Sequence, residues 1–534
     1  MVAVKPDMIR RIDQYAEEKL GIPTDTLMQR AGEAVFKCVQ TKVNKKSPRV
    51  LVVCGGGNNG GDGYAAAALM LAHGMRVCAV DLFAAGQRTE EGKRALAAYL
   101  ASPDARMLYG TEGVKEELFR ADCVVEAVYG VGAREDLPDA ALWFLRALHE
   151  VSEERLSQKG EGAFCVSVDC PLGVNAENGT AHEDAFFFDA TVELSFPKIG
   201  THSYPAARYA GEFFYDSLGL PIEEIKDNFH LRDIVMDDAS AERMLPLRLP
   251  EGHKGSFGTL LSFTGSRLYR GAALLAAEAA LRGGIGLLRY VGEDEVCDAL
   301  LARTPEAVCH RIAPIAPLDL EAAKCLADTL PRADAILVGS GCGQSEGLAN
   351  LLRVLLLCRD VPTVLDADAL NVLSDPQNDL FDCFYFCKGE VLLTPHPQEF
   401  ARLIGKSVEE VQKNRLALAR AFAERYEVTV LLKGKGSVIA APDGRICVNT
   451  SGNTALSKGG SGDVLAGLVA SYVAQGLSAF EAAALGAYLH GRAGEVLAET
   501  LGEAGVLPSD LPLQIAKEAQ SLPQWGKGDR ASGG

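Results

Sequence analysis

The chain has 534 residues, 48% hydrophobic and 23% charged, too long for one ordinary core and too apolar for a disordered chain. Its net charge of −18 argues against a nucleic-acid backbone or an anionic membrane as partner. A phosphate ligand therefore needs a site made locally positive by backbone N–H groups and a few lysines.

The 14 cysteines show no disulfide-like spacing. Most, such as Cys54, Cys78, Cys123 and Cys165, lie in apolar runs, so buried free thiols in a reduced, cytoplasmic compartment are expected. Cys383 and Cys387 lack the second pair with His that would complete a zinc site. Met1–Arg11 has no apolar core, and no stretch of about 18 apolar residues occurs, so neither a signal peptide nor a membrane span is expected.

Residues 8–40 read as helical, with Met8, Ile9, Ile12 and Tyr15 at helical spacing. Arg49–Cys54 reads as a buried strand, Gly55–Gly63 as a glycine loop and Tyr64–His73 as a helix. Strands follow at Arg76–Phe83, Cys123–Val128, Phe164–Asp169 and Thr191–Phe196. This alternation predicts a doubly wound parallel sheet. Leu220–Gly252 is charged and irregular, with Pro221, Pro246 and Pro250, and reads as a connection.

A second α/β series begins near Gly258, with strands at Thr259–Thr264, Ala335–Val338, Thr363–Leu365, Val391–Leu393 and Val428–Leu432. Ser437–Ala440 and Ile446–Val448 flank the hairpin signal Pro442-Asp443-Gly444. Helices are predicted over 464–475 and 479–498, and a disordered tail from Gln524.

Gly459-Gly460-Ser461-Gly462-Asp463 opens the first of those helices. Unpaired N–H groups at a helix N-terminus make an anion site, and a carboxylate there is placed to take a proton from an attacking hydroxyl. Alone, the segment fits a helix-capping aspartate equally well. Further loops follow strands: Gly339-Ser340-Gly341-Cys342-Gly343, Thr394-Pro395-His396-Pro397-Gln398-Glu399 and Lys433-Gly434-Lys435-Gly436-Ser437. Ligands of open α/β sheets bind at such strand ends.

With Lys254-Gly255 and Tyr269–Ala273, these segments resemble, in order over roughly 228–520, the ADP- or ATP-dependent NAD(P)H-hydrate dehydratases of the ribokinase-like superfamily. The Thr-Pro-His-Pro string narrows it, since the glycine loop is shared across ribokinase-like kinases. The resemblance implies a substrate hydroxylated at C6 of the nicotinamide ring, phosphorylated there and relieved of phosphate. It implies Asp463 as base, and Gly459, Gly460, Ser461 and Gly462 as anion hole. Lys433, Gly434, Lys435, Gly436 and Ser437 bind nucleotide together with Gly462, and Ala272, Gly343 and His396 bind the hydrated dinucleotide. Mg²⁺ arrives with the nucleotide. Where the family reads Gly-Asn-Pro-Gly-Met-Ala-Thr, this chain has Gly452-Asn453-Thr454-Ala455-Leu456-Ser457-Lys458. The loop's backbone preference changes and a positive charge is added beside the anion hole.

In the first half, Gly55, Gly57 and Gly60 match a dinucleotide fingerprint, with Asp81 about 20 residues on. A dehydrogenase domain is thus a rival, opposed by Asp62, whose carboxylate would repel pyrophosphate. The longer string resembles the NAD(P)H-hydrate epimerases over about 1–218. It is carried by Leu27–Gly32, Gly55–Gly63, Tyr129–Gly132, Ser167–Pro171 and Phe196-Pro197-Lys198. That implies Asp169 as proton-transfer carboxylate. It implies dinucleotide loops at Asn58, Asn59, Gly60, Gly61 and Asp62, and at Gly130, Val131, Gly132, Ala133, Arg134, Glu135 and Asp136. Potassium is implied at Asn59, Glu126 and Leu172, where the family has Asp at the second position and Ser at the third.

The resemblances imply a Rossmann-like three-layer α/β/α domain over 1–218, a connection over 219–252, a ribokinase-like α/β domain over 253–520 and a tail over 521–534. Expected partners are hydrated NADH and NADPH with ADP or ATP, in a homo-oligomer. Two rivals stay open: a ribokinase-type small-molecule kinase fused to a dinucleotide-binding regulatory domain, and a ligand-sensing scaffold.

Overall fold

The β-branched run Arg49–Cys54 forms an inner strand, β1, of a seven-stranded sheet in a computed structural model that describes residues 1–83, 88–132 and 136–522. The other strands are β2 (Arg76–Asp81), β3 (Arg106–Tyr109), β4 (Cys123–Ala127), β5 (Phe164–Val168), β6 (Ala190–Leu194) and β7 (Glu212–Asp216). Their order is β3-β2-β1-β4-β5-β6-β7, every pair parallel. Val50, Val52 and Cys54 pack into one apolar layer, and Leu51 and Val53 into the opposite one. Burial on both faces explains the continuous apolar run, and gives three α/β/α layers. The sequence reading omits β3 and β7, the partly exposed edge strands, which lack such a run.

Two helices, α1 (Pro6–Glu18) and α2 (Thr24–Lys42), replace the single predicted one. Gly21, with φ of 66°, and Pro23 interrupt the pattern. The predicted glycine loop is largely helix: α3 runs from Asn58 to Ala72. Its glycines serve close packing. A Cβ on Gly60 would sit 2.0 Å from the Gly55 carbonyl oxygen, and one on Gly63 2.7 Å from Ala127 Cβ.

The chain divides into compact units between Asp233 and Ile234. Within 219–252 the structure forms helices Ile222–Phe229 and Asp238–Met244 and strand β8 (Asp233–Val235). The second unit continues with β9 (Thr259–Phe263), β10 (Leu287–Gly292), β11 (Val308–Arg311), β12 (Ala335–Val338), β13 (Thr363–Leu365), β14 (Val391–Leu393), β15 (Thr429–Leu432), β16 (Val438–Ala440) and β17 (Ile446–Val448). Their order is β8-β17-β16-β15-β14-β13-β12-β9-β10-β11. The pairs β15/β16 and β16/β17 are antiparallel and the rest parallel. The predicted hairpin joins β16 to β17, with Gly444 at φ of 82°. β8, β10 and β11 are absent from the sequence reading.

Helices α4 (Arg270–Arg282), α5 (Pro397–Ile404), α6 (Ser461–Ala474) and α7 (Ala479–Leu501) complete the elements that matter for the site. α6 starts at Ser461, three residues before the predicted start, so Gly462 and Asp463 lie in its first turn. The predicted tail from Gln524 lies outside the described residues. Among the described residues no helix is long and apolar enough to cross a membrane.

Candidate active sites

In the first unit, Asn58, Asn59, Asp62, Gly130, Val131, Gly132 and Asp169 line one cleft of about 350 Å³. Asp13 on α1 and Lys198 line it too; the sequence reading gave neither a role. Asp169 follows β5 in the left-handed region, with φ of 69°. This strained conformation in a non-glycine residue is held by an ion pair with Lys198 Nζ and a bond from Leu194 N–H to Oδ1 at 3.4 Å. Lys198 is buried and also donates to the Leu194 carbonyl at 2.7 Å. Gly130 must lack a side chain, because a Cβ would lie 2.8 Å from Asp169 Oδ2 and 3.4 Å from Asn59 Oδ1.

Three carboxyls therefore share one lysine. Burial, then the charge of Asp169, pushes Asp13 up to about 6. Burial, then Asp169 and Asp13, pushes Asp62 well above the carboxylate range. Gly60 and Gly61 pack on Gly55 and on Met28 rather than lining the cleft. Asp136 is exposed outside its lining. Ala133, Arg134 and Glu135 lie outside the described residues.

The implied potassium ligands fare differently from one another. The amide of Asn59 is buried, with no partner for Nδ2 or Oδ1 among the described residues. Glu126 is fully buried, and its carboxylate accepts from Val128 N–H (2.8 Å), Ser167 Oγ (2.9 Å) and Leu172 N–H (3.1 Å). Burial pushes it up to about 7 despite those bonds. Leu172 supplies a buried apolar side chain. Asp81, the fingerprint acid, is buried against Arg88, which closes it to a ribose hydroxyl.

In the second unit, the Gly339, Thr394 and Lys433 loops each leave the carboxyl end of a strand in the parallel part of the sheet. They meet at a residue the sequence reading passed over, Asp366, directly after β13. Its buried carboxylate accepts from Ser340 Oγ at 2.8 Å, Thr394 Oγ1 at 2.8 Å and Lys433 Nζ at 2.9 Å. One side chain thus ties the loops after β12, β14 and β15 together. Two residues on, Asp368 Oδ2 accepts from Gly343 N–H at 2.8 Å, and Ala367 between them has φ of 48°. The Asp-Ala-Asp string after a strand was the available signal.

Lys433 Nζ also lies 3.5 Å from where a Cβ on Gly462 would stand, which puts the ammonium beside the N-terminal turn of α6. Burial, the largest single influence, lowers its pKa; Asp366, Glu399 and Asp463 together outweigh this and raise it. Asp463 is pushed up to about 7 by burial and then by Asp366, with Lys433 opposing. Ser461 contributes only its backbone to the loop, because its hydroxyl sits 3.2 Å from His490 Nε2. Burial drives His490 down to about 4, so it is neutral.

Arg415 supports the Lys433 loop from behind, donating to the carbonyls of Leu432 (3.1 Å), Lys433 (3.2 Å) and Gly436 (3.4 Å). Lys435 Nζ donates to the Gly452 carbonyl, and Ser437 Oγ to that of Gly434 at 2.9 Å. Lys458 is engaged by the carbonyls of Ala504 (2.7 Å) and Val506 (2.6 Å), so its charge is not held free for the glycine loop. Gly341 packs on the first turn of α4, where a Cβ would lie 2.8 Å from that of Ala272. His396 caps α5: its Nδ1 accepts from Gln398 and Glu399 N–H at 3.1 and 3.2 Å, and Nε2 is 3.3 Å from Glu399 Oε1.

Two family models match the chain, the NAD(P)H-hydrate dehydratases over residues 260–517 and the YjeF-related protein N-terminus over 24–200. The bifunctional NAD(P)H-hydrate repair enzyme Nnr of Moorella thermoacetica is 32% identical over 512 residues, 94% of this chain and 93% of the relative. That of Escherichia coli is 33% identical over 515 residues, 95% and 91%. Among solved structures, the ADP/ATP-dependent NAD(P)H-hydrate dehydratase of Bacillus subtilis, co-crystallised with ATP and Mg²⁺, is 32% identical. It covers 54% of this chain and 98% of that one, with a TM-score of 0.48. The chain belongs to the family of bifunctional NAD(P)H-hydrate repair enzymes.

Proposed function

We propose that the chain repairs hydrated NADH and NADPH. The first unit interconverts the R and S forms at C6, and the second uses ADP or ATP to dehydrate the S form. The observation that carries the dehydratase reading is Asp463, poised near neutrality in the first turn of α6 beside the ammonium of Lys433. Its carboxylate takes the proton of the C6 hydroxyl as that oxygen attacks the terminal phosphorus of the nucleotide. The N–H groups of the Gly459–Gly462 turn and Lys433 hold the phosphoryl oxygens. Lys435 and the loop to Ser437 cradle the remaining phosphates. Mg²⁺ bound to the nucleotide would neutralise phosphate charge there. Asp366 is engaged by Ser340, Thr394 and Lys433 instead.

In the first unit, carboxyls held in different surroundings supply an acid and a base. Asp62, raised by burial and then by the charges of Asp169 and Asp13, is biased toward its protonated form, while Asp169 is ion-paired with Lys198. Loss of the C6 hydroxyl as water leaves a planar cation that regains water on either face. Asp62 protonates the departing oxygen and Asp169 takes the proton from the returning water. Potassium does not fit the residues present. Glu126 is engaged by the Val128, Tyr129 and Leu172 N–H groups and the Ser167 hydroxyl, Leu172 has no side-chain oxygen, and a hard cation needs several oxygens. The Asn59 amide, without a partner among the described residues, is instead available to the dinucleotide. The cysteines, all free thiols, support a reduced, cytoplasmic setting.

The test is incubation with mixed R and S hydrates and ADP or ATP. Recovery of reduced-nicotinamide absorbance from both forms supports the reading. A stable phosphorylated product instead supports a small-molecule kinase.

A further inference from the structure

Restoring the dihydropyridine removes two protons from two different atoms. In the first step the O–P bond forms, the nucleotide leaves with the electron pair of the broken P–O bond, and the hydroxyl proton goes to Asp463. In the second the C6–O bond breaks and phosphate leaves with that electron pair. The C5–H bond then supplies the electrons of the new C5=C6 double bond, and its proton needs an acceptor. Asp463 is already protonated.

The remaining titratable groups at these strand ends can be taken in turn. Asp366 is buried and both its oxygens accept bonds. Lys433 is an ammonium paired to Asp366. His396 uses the Nδ1 lone pair to cap α5, so its proton sits on Nε2, toward Glu399. Glu399 receives that contact on Oε1 and the His396 N–H on Oε2 at 2.8 Å. The Cys342 thiol donates to the Phe263 carbonyl at 3.2 Å and is pushed up to about 12 by burial. Asp368 differs: Oδ2 accepts from Gly343 N–H, Oδ1 has no hydrogen-bond partner among the described residues, and its charge is felt at Asp463. The left-handed Ala367 lets Asp366 face the loop network while Asp368 holds the Gly343 loop.

We infer that Asp368 is a second catalytic carboxylate of the dehydratase site, accepting the C5 proton through its free oxygen as phosphate departs. This rests on the dehydratase reading, which is checked first. The wild-type chain must return reduced-nicotinamide absorbance from S hydrate and ATP; if it does not, the dehydratase reading fails, and this inference with it.

The discriminating variant is Asp368→Asn, whose amide oxygen still accepts the Gly343 N–H. The first turnover is followed by two signals, nucleotide cleavage and absorbance recovery. The expected result is cleavage near the wild-type rate with recovery slowed at least about 100-fold, phosphorylated hydrate accumulating between them. Asp368→Glu, which keeps a carboxylate, regains part of the recovery. Equal loss of both signals, or Asn and Glu variants behaving alike, would show a structural role and overturn the inference. Unchanged recovery in Asp368→Asn would overturn it too, with an oxygen of the departing phosphate taking the proton.

Discussion

Both units gather three carboxyls around one lysine near the ends of parallel strands, yet they spend the lysine differently. In the first, Lys198 pairs with Asp169 itself, while Asp13 and Asp62 are left raised. In the second, Lys433 pairs with Asp366, and Asp463 is the raised group. Pairing the lysine with one carboxylate leaves its neighbours raised, which suits the proposed acid and base acting at one carbon. Pairing it with a bystander frees the working carboxylate to take a proton near pH 7 and points the ammonium at an anion. The same residue types thus serve proton exchange in one fold and phosphoryl transfer in the other.

The largest expected effect comes from removing either working carboxylate. Asp463→Asn should cut dehydration by at least about 10²-fold while nucleotide affinity, read by titration, stays near wild type; unchanged turnover would sink the base assignment. Asp169→Asn should slow R-to-S conversion by a similar factor and leave dehydration of pure S hydrate untouched. Persistence of R consumption above the spontaneous rate would misplace the first site.

A smaller effect sharpens the contrast between the lysines. The base must be ionised, so the dehydration rate should rise with pH through about 7 in wild type. Asp366→Asn removes the second cause of that shift, so the acidic limb should move to lower pH. It should not reach the ordinary carboxylate value, because burial, the larger cause, remains. Loosening Lys433 should also cost roughly tenfold in rate, since a charged hydrogen bond is worth about 1.5–3 kcal/mol. An unmoved limb in the pH–rate profile would separate Asp366 from the tuning of Asp463. The smallest effect is that of Lys458→Ala. Its two carbonyl bonds predict a loss of about 1 kcal/mol in stability, read as a lowered Tm, with turnover unchanged. A large loss of turnover would place that charge at the phosphate after all.

What the sequence disclosed follows from where the signal lies. Inner strands such as Arg49–Cys54 are buried on both faces and announce themselves as apolar runs. Edge strands such as Arg106–Tyr109 are half exposed and do not. The glycine segments were legible as strand-end features, but their reading as loops missed that Asn58–Asp62 and Ser461–Asp463 are first turns of helices. Asp169 and Asp463 stood in recognisable strings. Asp13 reaches its cleft from a helix far upstream, so only tertiary structure brings it to Asp169. Asp366 and Asp368 directly follow a short strand, but their importance lies in the side chains of three other loops that bind them.

The division of labour between the units is tested most directly with pure R hydrate and ATP, given to Asp169→Asn alone, to Asp463→Asn alone, and to the two variants mixed. The expected result is no recovery of reduced nicotinamide from either variant beyond that set by spontaneous epimerisation, and full recovery from the mixture. Recovery by either variant alone at the wild-type rate, or failure of the mixture, would contradict it.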